Sequence, residues 1–138
     1  MIFSIAVYAA PYSSQSSYSA YRFASALLSE GHTLYRVFFY CDGVHAASDL
    51  ATPPQDEPQL TQAWQDLANK HQVDLTVCIA AALKRGLFNS QEGARYEKQA
   101  SNLAEGSELA GLGQLVDGAI ASDRLITFGN WHEQSILQ

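Results

Sequence analysis

The groups in this 138-residue chain with chemistry to offer are two cysteines, a run of serines, four histidines and one pair of adjacent basic residues. Cys78 stands out by position. Residues 73–78 form a short apolar run of buried-strand length, and residues 79–85 read as a brief helix stopped by Gly86. A thiol at that junction meets the positive end of the helix backbone, which favours thiolate, the nucleophilic form of sulfur. The small or apolar neighbours Ile79, Ala80, Ala81 and Ala82 leave space for a partner's sulfur to approach. Lys84 and Arg85 are expected at the far end of the helix, complementing its opposite pole. The competing reading of Cys78 is a strand-end cysteine buried as a small hydrophobe.

Cys41 follows the second apolar run in a similar place. Its neighbour Asp42 is expected to raise a thiol pKa rather than lower it, and no helix clearly starts there. Cys41 is therefore read as structural. The serines 13, 14, 16 and 17 follow the first apolar run and have the character of a phosphate cradle at a helix start. The same residues serve equally as N-caps on a solvated loop. A phosphatase loop needs an Arg at a fixed offset from its Cys, and Arg85 lies one place too far, with no glycine between it and Cys78. His32, His45, His71 and His132 share no motif, and no Cys/His spacing suits zinc, so neither a metal nor an organic cofactor is expected.

The elements that must position these groups alternate. Residues 2–8 read as a strand buried on both faces, and residues 18–30 turn helical, with Ala20, Phe23, Ala24, Leu27 and Leu28 on one side and Gly31 as the stop. Residues 33–40 make a second strand, and residues 46–58 a loop containing Pro53-Pro54. A second helix carries Leu60, Ala63, Trp64 and Leu67, and the third strand ends at Cys78. Residues 88–108 are polar, with a short helix near 91–98 and then a loop that is expected to act as a mobile wall over the thiol. The second half of residues 109–121 is helical, and residues 123–128 form the last strand. Strands alternating with helices give an α/β fold, a single three-layer domain with a parallel sheet and helices on both faces. Sites in such sheets form beyond the carboxyl ends of the strands, where the serine loop, Cys41 and Cys78 all fall.

Composition narrows the function. The net charge is −6, and the eight Lys and Arg are scattered, so a nucleic-acid surface is not expected. No apolar stretch approaches the roughly 18 to 20 residues of a membrane span, and no basic residue precedes the first apolar run as in a signal peptide. The chain reads as cytoplasmic, with reduced thiols. The charged fraction, 16%, is low, which suits a surface partly covered by other subunits.

Several ordered motifs resemble the DsrE/TusD family of small sulfurtransferase subunits, most closely the TusD type. They are Val37-Phe38-Phe39-Tyr40 with Gly43-Val44, Asp56-Glu57 leading to Ala63-Trp64, and above all the run from Val77 through Cys78 to Gly86. Ser101-Asn102-Leu103, the segment Leu109-Ala110-Gly111-Leu112-Gly113 and Asp123-Arg124 follow in order. The resemblance covers residues 1–128 as one domain of DsrE-like fold and leaves 129–138 as a tail of open role.

What the resemblance implies is a sulfur relay with Cys78 as the persulfide carrier. A TusA-like donor delivers sulfane sulfur, and a TusE- or DsrC-like acceptor takes it. Two paralogous small subunits, of TusB/TusC or DsrH/DsrF type, complete a heterohexamer. The TusD case ends in 2-thiouridine at the tRNA wobble position, with no direct tRNA binding by this subunit. Cys41 falls where the family pattern does not call for cysteine. The alternatives are a DsrE-type subunit of dissimilatory sulfur oxidation, a flavodoxin-like nucleotide or flavin module built on the serine loop, and a non-catalytic assembly subunit.

Overall fold

The computed structural model describes residues 1–129. Five strands, β1 (Ile2–Val7), β2 (Thr33–Phe39), β3 (Asp74–Cys78), β4 (Ser107–Ala110) and β5 (Arg124–Phe128), form one sheet in the order β4-β3-β2-β1-β5. Every pairing is parallel. Between them run α1 (Gln15–Ser29), a 3-10 helix (Cys41–Ala47), α2 (Leu60–His71), α3 (Ile79–Lys84), α4 (Ser90–Arg95) and α5 (Gly113–Ala121). This is the α/β architecture that the alternation of strand and helix patterns predicts.

The sheet has two unlike faces, because successive side chains of a strand point to opposite sides. Ile5, Val7, Val37, Phe39, Leu75 and Val77 share one side and are all essentially inaccessible to solvent. They meet Ala20, Ala24 and Leu27 of α1 and Trp64 and Leu67 of α2 in one continuous core. Trp64 anchors it, edge-on to both Phe39 (centroids 5.5 Å apart) and Tyr21 (5.4 Å).

The opposite side carries Ser4, Arg36, Asp74 and Thr76, and α5 lies across it. A Cβ at Gly118 of α5 would stand 3.3 Å from Ser4 Oγ, so the helix rides close over the strands. Arg36 Nε donates to Asp74 at 2.9 Å, and its Nη1 donates to the Gln114 carbonyl at 2.8 Å and to Asp117 at 2.9 Å. One guanidinium thus pins α5 to β2 and β3.

Helix ends follow the sequence signals. Ser14 caps α1, its Oγ accepting from Ser16 N, and Gly31 adopts φ +86° just past the C-cap Glu30. One strand escaped the sequence. β4 is only four residues at the sheet edge, and its Ser-Glu-Leu-Ala carries a single large apolar side chain. Nothing local marks it as a strand; pairing with β3, from Leu75 opposite Ser107 to Cys78 opposite Ala110, creates it. The tail from residue 130 onward, including His132, lies outside the described residues.

Candidate functional site

Cys78 is the last residue of β3 and the N-cap of α3, and it is 3% exposed. Its position in β3 puts it on the same side of the sheet as Asp74 and Thr76, the α5 side. There it borders a cavity of about 350 Å³. Besides Cys78, its lining comprises Tyr40 and Cys41, Ile79, Ala80 and Ala81, Lys84 and Arg85, and Gly111 and Leu112 just before α5. Of the four residues after Cys78 read as room for an approaching sulfur, Ile79, Ala80 and Ala81 line this space, while Ala82 is buried in the core.

Three expectations about the surroundings of Cys78 change. First, α3 has only six residues, so Lys84 and Arg85 are not remote from the thiol but line the same cavity. Arg85 Nη1 donates to the Ala81 carbonyl at 3.1 Å, while its Nε donates to Asp42 at 2.8 Å. Second, residues 88–108 contribute nothing to the cavity lining and do not roof the thiol. That segment is tied down instead: Asn102 holds Phe88 N and the Gly86 carbonyl, Ala104 N donates to the Ala47 carbonyl, and Leu87, Glu92 and Ala104 are buried. Third, a helix does start at Cys41.

The 3-10 helix opens on Cys41, whose φ of +50° is unusual for a residue with a side chain. The chain is forced to turn there by the packing of Gly43, where a Cβ would fall 2.1 Å from the Val7 carbonyl oxygen. Gly43 N donates to the carbonyls of Tyr8 and Tyr40, locking the turn onto the ends of β1 and β2. Only glycine fits so close to another backbone. Asp42, expected to burden the Cys41 thiol, is drawn off by Arg85 from α3. Burial pushes the Tyr8 hydroxyl pKa up, and the neighbouring Cys41 and Tyr40 add to it. Sequence spacing gave no means of seeing that the two cysteines share one cavity, because the turn at Cys41 depends on contacts with β1.

The serine loop takes its bland reading. Ser14 is the α1 cap and Ser17 is fully buried. Tyr12, Ser13, Ser14, Gln15 and Tyr18 border a separate cavity of about 380 Å³, closed by Pro58 and Leu60. No cation lines it, which leaves a phosphate without a counter-charge. Among the described residues no group of three or more His, Cys, Asp and Glu gathers in a geometry for a metal ion, and no helix is long and apolar enough to cross a membrane.

Residues 1–128 match the model of the DsrE/DsrF-like family. The chain belongs to that family. Over 130 residues it is 45% identical to a putative sulfurtransferase DsrE of Allochromatium vinosum, covering 94% of this chain and all of that one. Over 128 residues it is 47% identical to the sulfurtransferase TusD of Erwinia tasmaniensis, covering 93% of this chain and all of that one. Among solved structures the YchN protein of E. coli superposes with a TM-score of 0.73 across 92% of this chain and 97% of that chain; at 24% identity this similarity bears on the fold alone. The resemblance to DsrE/TusD sulfurtransferase subunits, first drawn from the motif around Cys78, thus holds along the whole domain.

Proposed function

We propose that this DsrE/DsrF-like protein is a sulfur-relay subunit that accepts sulfane sulfur as a persulfide on Cys78 and hands it to the thiol of an acceptor protein. The observation that carries the reading is the placement of Cys78 on a cavity with room for an added sulfur atom and two basic side chains in its lining. A Cys78 thiolate attacks the terminal sulfur of a donor persulfide, and the donor's cysteine departs as thiolate. In the second step an acceptor thiolate attacks the sulfur now carried on Cys78, and Cys78 leaves in turn. Both steps are thiol–disulfide exchange, for which leaving-group stability and access matter most.

The proposed route begins with a TusA-like donor and ends at a TusE- or DsrC-like acceptor, feeding 2-thiouridine formation at the tRNA wobble position in a cytoplasmic setting. The net charge of −6 supports a subunit that passes sulfur on and leaves tRNA binding to a later enzyme. The similarity to the DsrE-named relative supports a second reading, in which the same chemistry serves dissimilatory sulfur oxidation. In either setting the subunit sits with two paralogous subunits in a heterohexamer. The apolar residues that α5 leaves exposed, Leu112, Val116 and Ile120, support such covering by neighbours.

Intact-mass measurement after incubation with a sulfane sulfur donor tests the carrier assignment. Wild type gains one sulfur atom and Cys78→Ser gains none. Equal labelling of the two proteins would sink it.

A further inference from the structure

We propose that Cys41 is a second sulfur carrier, taking the sulfane sulfur from Cys78 inside the shared cavity and presenting it at the more exposed side. The inference rests on the reading of Cys78 as the residue that first receives sulfur. Two thiols line one cavity of about 350 Å³, and neither is in a disulfide. β2 and β3 run side by side up to the pair Phe39 and Val77, so the chain leaves the two strands at neighbouring points. Cys41 lies two residues beyond that pair and Cys78 one. The turn at Cys41, fixed by Gly43 against Val7 and Tyr8, brings its side chain to the cavity that Cys78 also borders. The Arg85–Asp42 pair then ties the 3-10 helix to α3, holding the two thiol-bearing segments together.

With Cys78 taken as the receiving thiol, exposure favours Cys41 as the presenting one. Cys78 is buried, at 3% exposed, whereas Cys41 is only partly buried. A thiol on another protein reaches Cys41 with less intrusion than Cys78. Arg85 pairs with Asp42 beside Cys41, and Lys84 lines the same cavity.

The step balances without any added oxidant. The Cys41 thiolate attacks the outer sulfur of the Cys78 persulfide, and a new S–S bond forms on Cys41. The bond between Cys78 Sγ and the outer sulfur breaks, and its electron pair leaves on Cys78 as thiolate. The sulfane sulfur keeps its oxidation state, and the persulfide proton is exchanged with solvent.

The experiment loads the full-length protein with less than one equivalent of inorganic polysulfide, alkylates at increasing times, and maps the extra sulfur to the Cys41 and Cys78 peptides. In wild type it is expected on Cys78 first and then on both. Cys41→Ser should load Cys78 normally, which shows the cavity is intact, but deliver to a cysteine-containing peptide roughly tenfold more slowly, since the positioned thiol is gone. Cys78→Ser should leave Cys41 unlabelled at early times. Wild type labelled only on Cys78, with Cys41→Ser delivering at the wild-type rate, overturns the role of Cys41 and leaves Cys78 as sole carrier. Cys41 labelled in Cys78→Ser as fast as in wild type overturns the order of transfer and the reading of Cys78 together.

Discussion

The two faces of the sheet are built on different physics. The side towards α1 and α2 is a continuous apolar core in which six strand residues and Trp64 are almost wholly removed from water. The side towards α5 is held by polar groups: Arg36 to Asp74, Gln114 and Asp117, Tyr35 to Asp117, and Ser4 to Ser122. Of α5 only Gly118 is buried, while Ile120 is 80% exposed. Thin cover on the α5 side leaves an opening at the carboxyl edge of the sheet, and Cys78 lies there.

This contrast can be broken by substitution. Trp64→Ala removes the anchor of the packed face and should cost about 3–5 kcal/mol in urea unfolding. Sulfur loading of the protein that remains folded should be unchanged, because Trp64 packs on the opposite side of the sheet from Cys78 and does not line the cavity. If Trp64→Ala alters Cys78 alkylation in the folded state, the two faces are not independent.

Arg36→Met should cost less, about 1–3 kcal/mol, since it removes charge-assisted hydrogen bonds whose acceptors keep some access to water. Its second effect separates it from Trp64→Ala. Loss of the tie to Gln114 loosens the segment that carries Gly111 and Leu112, so alkylation of Cys78 should speed up. An unchanged rate would mean that Arg36 does not govern cover over the thiol.

The smallest effect concerns Asp117. Hydrogen bonds from Tyr35 and Arg36 hold its carboxyl pKa below the ordinary value. A depressed folded-state pKa gives stability that is present above the unfolded value and lost as pH falls through the folded one. Asp117→Asn should flatten that acid-side loss in pH-dependent unfolding, with little change near neutrality beyond the weakened ion pair. A wild-type acid profile retained in the variant would assign the loss to another carboxylate.

Much of this was legible in the sequence. The buried strands, the helix stop at Gly31 and the apolar face of α2 are local patterns, and their period alone identifies them. The motif around Cys78 likewise marks both the strand end and the family. β4 was not legible, because a four-residue polar-apolar edge strand exists only through its pairing with β3. Nor was the turn at Cys41, because its cause is the Gly43 backbone meeting Val7 and Tyr8, more than thirty residues earlier in the chain.

By itself, then, the sequence determined that this is a parallel α/β domain with a thiol at the carboxyl edge of its sheet, since period, caps and motif act over short spans. Only the tertiary structure decided what surrounds that thiol. The pairing of Asp42 with Arg85, the absence of residues 88–108 from the cavity lining and the sharing of that cavity by Cys41 and Cys78 all depend on contacts between segments remote in the chain. Such contacts leave no periodic trace in the residues that make them.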